Sequence, residues 1–415
     1  MQKFLDWWEW GVYSALCLSI ILLGVGRLEL GSWGQSMSAW SVSRTTFFFW
    51  LIWKLLLWFW HGRKNLGLAK GSLPISLLTF LAVVTASLLP DFHEAADYRY
   101  LFFAVMHCVM VLDLFATDGR AKLLQLLLGL LPALLVVRGI VYDPSVVNFD
   151  QMHRLRYPLS HPNPAGLLFA MSIPLALSVI VSYKGWLRGV TIGSLGIQFW
   201  GVILTYSRGA WLGCVASLLA VSLVEKSLRR CALTIGFLGL VAFLGIAPLR
   251  SRLMTLGNLK EDVSIIGRLK FMTDALVVGL KNPLLGVGYG RDRLRESVKI
   301  EMPNSPQVGF IPHSHSMYTE MFAETGLLGV GALMWMVLSN INGLIRRARN
   351  EVSPPNRILY FCLSASLIAF LVFGLADVPF YNHDTRIFFF TLMAVSYVFL
   401  RSDIASQRSN RIPSS

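Results

Sequence analysis

Charge is scarce in this chain. Only 14% of its 415 residues are Asp, Glu, Lys or Arg, against 55% hydrophobic residues. A water-soluble fold of this size needs no such apolar composition, so the class is membrane protein. Acidic residues are scarcest, 23 against 37 Lys and Arg, for a formal net charge of +14. No nucleic-acid motif accompanies that surplus, so no nucleic-acid partner is expected. Basic loops facing an anionic cytoplasmic leaflet account for it instead. Cysteine is sparse too. Cys17, Cys108, Cys214 and Cys362 fall inside apolar runs and Cys231 at the edge of one, which is no disulfide framework. Internal repeats, low-complexity tracts and a soluble domain are also missing. The opening MQKFLDWWEW precedes an apolar run without a small-residue cleavage site, and reads as an interfacial lead-in to a retained helix.

Present instead is apolar sequence cut into lengths that cross a bilayer, roughly 20 residues each. Twelve such stretches lie near 9–26, 45–60, 72–90, 100–117, 121–142, 164–183, 186–206, 208–224, 231–249, 316–343, 358–376 and 386–400. Every second connection is basic: HGRKNLGLAK (61–70), Arg120 with Lys122, Lys184 with Arg188, EKSLRR (225–230), IRRARN (345–350) and the tail from 401. The alternate connections, such as DFHEAADYR (91–99) and VPFYNHDTR (378–386), are mixed or acidic. The positive-inside rule then puts both termini in the cytoplasm. The expected fold is an all-α polytopic membrane protein of about twelve transmembrane helices. Spans one to nine occupy 1–249, a large extracytoplasmic loop 250–314, and the last three spans with a cytoplasmic tail 315–415.

The large loop carries ten Lys and Arg residues, which long translocated loops tolerate. Within it Ile265, Leu269, Met272, Leu276 and Leu280 recur at helical spacing before Asn282-Pro283. That pattern predicts an amphipathic helix near 265–281, lying on the membrane or over a cavity. The GVGYG at 286–290 follows no strand and reads as a turn, not a phosphate loop.

The polar chemistry gathers on the outer face. Tyr206-Ser207-Arg208 joins two apolar segments with almost no loop, and Arg268 opens the amphipathic helix. His313, His315 and Glu320 stand at the start of a span, with Glu324 one turn deeper. Serine caps and an acid at a positive helix end explain Ser314, Ser316 and Glu320, but not two histidines. His-x-His with outside carboxylates is a zinc-type donor set. The carboxylates are scattered along the chain and two arginines would repel a cation, so no metal is expected. His161, Asn163, Asp377, His383 and Asp384 complete the polar set on this face.

These residues resemble the O-antigen ligase and polymerase family of bacterial membrane glycosyltransferases. The resemblance rests on His315-Ser316, nine residues, then Gly326-Leu327-Leu328-Gly329; on Arg208 in SRGAW; and on Arg268 ahead of NPLLGVGYG. Counting from His313 instead would put Glu324 where the pattern needs glycine. The resemblance implies a GT-C-like enzyme of the inner membrane with a periplasmic active site. It would transfer a glycan from undecaprenyl diphosphate to a sugar hydroxyl of lipid A–core, inverting the anomeric centre, without metal or cofactor. Arg208 and Arg268 would bind the donor diphosphate, and His315 would be the catalytic residue, as base or as acceptor-orienting group. His313, Tyr206, Ser207, His161, Asn163, Glu324, Asp377 and Asp384 are candidate supporting or acceptor-binding residues. Trp211 is a candidate wall of the lipid path. The alternatives are an O-antigen polymerase or a protein O-oligosaccharyltransferase. A lipid-linked glycan transporter is the non-enzyme alternative, although the broken helices expected of transporters are not evident in the sequence.

Overall fold

The computed structural model describes residues 2–26, 28–30, 35–61, 72–88, 96–148, 153–254, 263–305 and 313–409. The order begins with α1 (Gln2–Val25), a short antiparallel hairpin of β1 (Leu28–Leu30) and β2 (Gln35–Met37), α2 (Ala39–His61), α3 (Ser72–Ser87) and α4 (Ala96–Leu114). Next come α5 (Asp118–Leu130), α6 (Pro132–Tyr142), α7 (Pro162–Ser182), α8 (Trp186–Leu204), α9 (Arg208–Val224) and α10 (Lys226–Gly245). The loop region supplies α11 (Ala247–Met254), α12 (Val263–Lys281) and α13 (Arg291–Glu301). The chain closes with α14 (Met317–Asn350), α15 (Pro354–Phe373) and α16 (His383–Ser409).

Every apolar stretch read from the sequence is mainly helix. The stretch 121–142 is split into α5 and α6 at Pro132, which has no N–H to continue the ladder. Among the described residues seven helical segments, including Ala39–Phe59, Asp118–Tyr142 and Met317–Asn350, are long and apolar enough to cross a membrane. Leu73–Ser87 and Arg208–Val224 are shorter apolar helices. The basic segment 62–70 and residues 91–95 lie outside the described residues.

The core centres on α7 and α15. Helix α7 is apolar on every side and buries 18 of its 21 residues, as a helix enclosed by others must. It packs on α15, α9, α8 and α5, while α14 packs on α3, α12 and α15. Helix α14 runs over 34 residues in two pieces, of which the longer, after Gly326, is about 36 Å at 1.5 Å per residue. The longer piece carries the basic sequence IRRARN at its end.

Helix α12 coincides with the expected amphipathic helix, but its apolar stripe points the other way from a packed one. Leu269, Leu276 and Leu280 are exposed, whereas Phe271, Ala275 and Val278 are buried. Ala275 and Val278 join Leu294 and Val298 of α13 and Ala323 of α14 in a small separate core. The long aliphatic residues are left facing outward, as suits a helix lying on lipid.

A helix break that is not evident in the sequence interrupts α14. Helix α14 is broken at Gly326, where φ is 64° and ψ is −167°. The turn after α12 fills the break. Val287 N donates to Ala323 O and Gly288 N to Glu324 O, each at 2.9 Å, while Leu327 N donates to Pro283 O at 2.8 Å. Backbone groups freed inside a membrane helix must find partners in protein, and this turn supplies them. The packing requires glycine on both sides. A Cβ on Gly326 would meet the Leu284 carbonyl at 2.2 Å, and one on Gly286, itself at φ +68°, would meet the Glu324 backbone at 2.3 Å.

Candidate active site

Four elements deliver arginines to one polar pocket. The segment before α7 is held along the end of α8 by Leu155 N donating to Leu204 O at 2.9 Å. This lets Arg154 Nε donate to Thr205 O and its Nη2 to Asn163 Oδ1, both at 2.8 Å. The elbow between α8 and α9 is tight: Tyr206 adopts φ 49°, and the Ser207 side chain caps α9 by accepting from Ala210 N. Arg208 is thereby the first residue of α9, a cation at a helix end that already favours anions. Arg252 of α11 donates to Tyr206 O at 3.2 Å, and Arg268 of α12 to Ala376 O at 3.3 Å. The pocket lining includes all four arginines with Asn163, Tyr206, Ser207 and Asp377.

Four guanidiniums against one carboxylate make a strongly electropositive hollow. Burial first, then Arg252 and Arg268, pull Arg154 down to about 10, still charged at neutral pH. Asp377 accepts from Asn163 Nδ2, and its backbone carbonyl accepts from Met317 N at 3.1 Å. That contact joins the arginine pocket to the start of α14.

The histidines lie directly beyond Asp377. Ligand-type atoms of His313, His315 and Asp377 all fall within 4.8 Å of one another. The carboxylates looked scattered along the chain, but folding brings this one to both imidazoles, so that argument against a metal does not hold. His315 sits at φ 60°, a costly backbone for a residue with a Cβ. Its N–H donates to His313 Nδ1 at 3.3 Å, its ring packs 4.2 Å from that of His313, and Phe271 stacks on it at 5.8 Å. Among the described residues its buried Nδ1 has no hydrogen-bond partner. Burial, then the neighbouring His313, pushes His315 down to about 3, so the resting imidazole is neutral.

Glutamates brace this loop from behind. Glu320 accepts from Ser314 N and, at 2.7 Å, from the Tyr381 hydroxyl. The same hydroxyl also meets Glu324. Glu324 is fully buried behind Tyr381, away from the pocket, and braces the site instead of lining it.

Other sequence candidates divide clearly. His161 caps α7 by accepting from Asn163 N. Asp384 opens α16 through its N–H to Asn382 Oδ1, and is not among the pocket residues. Trp211 is buried, with Nε1 donating to Val202 O at 3.0 Å. Arg154 and Arg252 escaped the sequence reading. Nothing in HRLRY or LRSRL distinguishes them from Arg156 and Arg250; only folding selects them.

Residues 193–334 match the O-antigen ligase family model, a segment that contains Arg208, Arg252, Arg268, His313 and His315. Over 216 residues the chain is 26% identical to the exopolysaccharide production protein ExoQ of Rhizobium meliloti (strain 1021), covering 42% of this chain. The match covers 48% of that protein, so the chain spans about half the length of the curated relative. The resemblance read from Arg208, Arg268 and His315 is thereby borne out: the segment that holds them matches the O-antigen ligase family model, in a chain with several helices long and apolar enough to cross a membrane.

Proposed function

We propose that the protein is an O-antigen ligase of the bacterial inner membrane. It takes a glycan from undecaprenyl diphosphate and joins it to a sugar hydroxyl of lipid A–core on the periplasmic face. The observation that carries this reading is the meeting of Arg154, Arg208, Arg252 and Arg268 around one pocket beside the His313–Asp377–His315 cluster. A diphosphate leaving group carries its developing charge on oxygens that guanidinium forks bind in bidentate fashion. Preorganised cations at such a group usually supply the largest catalytic contribution.

His315 presents an unprotonated nitrogen to an acceptor hydroxyl. The guanidinium of Arg268 is among the charges that hold its pKa down, and a bound diphosphate would neutralise that field. The imidazole becomes a stronger base once the donor is seated, which matches basicity to the moment of attack. The hydroxyl oxygen attacks the anomeric carbon, its proton passes to His315, and the bond to the diphosphate breaks on the opposite face. The product is inverted.

The relative's name, which concerns exopolysaccharide production, supports polymerisation as the second reading. Purified protein supplied with polyprenyl-diphosphate glycan and lipid A–core separates the two. A glycan-bearing lipid A–core product, absent in His315→Ala, is the expected result. Lengthened donor without modified lipid A–core would establish the polymerase.

A further inference from the structure

A second hollow opens between α2 and α4, away from the arginine pocket. Trp40, Arg44, Phe48, Arg99, Tyr100 and Phe103 are among its lining residues, and its cavity volume is about 430 Å3. Arg44 lies in the second turn of α2 and Arg99 in the first turn of α4, and both are exposed. Among the described residues neither forms an ion pair; the Arg44 guanidinium rests 4.6 Å over the Trp40 ring. Deeper along α2, Phe48 and Phe49 are 52% and 50% exposed. Two cations over an aromatic trough match a lipid with an anionic head.

The head end of this groove is tied to the histidine loop by contiguous contacts. Tyr100 and Trp40 pack on His383 at 4.1 and 5.4 Å. Arg386 reaches His383 Nδ1 and the Asp97 carbonyl, each at 3.3 Å. Asp97 pairs with Arg291 at 3.2 Å, whose guanidinium lies 5.1 Å over Tyr381. Tyr381 in turn faces His313 at 6.3 Å. The arginine pocket meets the histidines from the Asp377 side, and the groove meets them from the Tyr381 side.

We propose that this groove seats the second lipid of the reaction, the acylated, phosphate-bearing glycolipid acceptor, with a phosphate between Arg44 and Arg99 and an acyl chain along Phe48 and Phe103. The inference rests on the ligase reading above. A transfer between two lipids needs two lipid seats, and inversion needs them on opposite sides of the reacting carbon.

The test uses the full chain in phosphatidylcholine nanodiscs, with lipid A–core binding followed by native mass spectrometry and transfer followed by product formation. The double variant Arg44→Gln, Arg99→Gln is expected to weaken acceptor binding and raise the acceptor KM by about tenfold or more, with the donor KM unaltered. Dephosphorylated lipid A–core should bind wild-type protein as weakly as intact acceptor binds the variant. Unchanged acceptor binding in the variant overturns the proposal. So does equal displacement of the acceptor by phosphatidylglycerol, which would make the groove a site for bulk anionic lipid. Wild-type protein that binds phosphorylated acceptor through these arginines, yet transfers no glycan to it, would leave the groove standing and remove the ligase reading.

Discussion

Arg154 and Arg252 are the residues on which the diphosphate account is most exposed to test. Each is anchored through a backbone carbonyl of the α8–α9 elbow, so its fork is held before any ligand arrives. Removing one preorganised donor from such a site costs about 10²–10³ in kcat. Arg154→Lys and Arg252→Lys are therefore expected to lose most of their activity despite keeping the charge, because lysine cannot bind two oxygens in plane. Full activity in either lysine variant would show that the residue acts only as a point charge.

His315 offers a sharper residue-level test through pH. Its pKa is depressed to about 3 in the resting site, so the neutral form persists as the pH falls through the ordinary histidine value of 6.5. The expected kcat/KM, which reports the free enzyme, stays flat through pH 6.5. The kcat profile should show its acid limb at higher pH, since bound diphosphate offsets Arg268. An acid limb near 6.5 in kcat/KM that persists in Glu320→Gln, and so does not come from the buried Glu320 carboxyl, would mean that His315 is not held neutral in the resting site. The same cluster could also bind a divalent cation. Transfer is expected to survive EDTA within about twofold, because the guanidiniums already neutralise the leaving group. Loss in EDTA with recovery on zinc would instead make His313, His315 and Asp377 ligands.

Among the elements, the interlocked turn and broken helix matter most. Gly326 ends the short outer piece of α14 that begins just after His315, and the 283–288 turn sets where that piece stands. Gly326→Ala would force an alanine into a positive-φ, extended-ψ conformation that is essentially glycine-only, costing about 1–3 kcal/mol, and would add overpacking of about 1–3 kcal/mol against Leu284. A clear fall in Tm together with lost transfer is expected. Gly331→Ala, five residues on in the same helix and with nothing within 4 Å of its Cβ, should match or exceed wild-type stability. Equal stability of the two variants would contradict the interlock. The pairing also gives the histidine-to-glycine spacing a physical reason, because that spacing sets the length of the outer helix between His315 and the break.

For the whole molecule, we propose from the charge alternation that the histidine loop lies outside and the basic end of α14 inside. In a chain whose five cysteines are replaced by alanine, Lys299→Cys on α13 should react with a membrane-impermeant maleimide in cells with a permeabilised outer membrane. Arg349→Cys, at the far end of α14, should react only after lysis. The reverse pattern would invert the proposed topology.

The sequence by itself determined the apolar helices, their approximate ends, the expected orientation and the three motif residues Arg208, Arg268 and His315. Those properties depend on composition and local spacing: hydrocarbon demands long apolar runs, and helix ends and prolines declare themselves locally. Only the tertiary structure decided that Arg154 and Arg252 join the same pocket, that Asp377 stands between arginines and histidines, and that Glu324 braces the site from behind. It also decided which face of α12 packs and that α14 breaks around a turn from some forty residues earlier. Those outcomes depend on contacts between residues distant in the chain. A lone arginine beside another arginine carries no local mark of the partner it will meet.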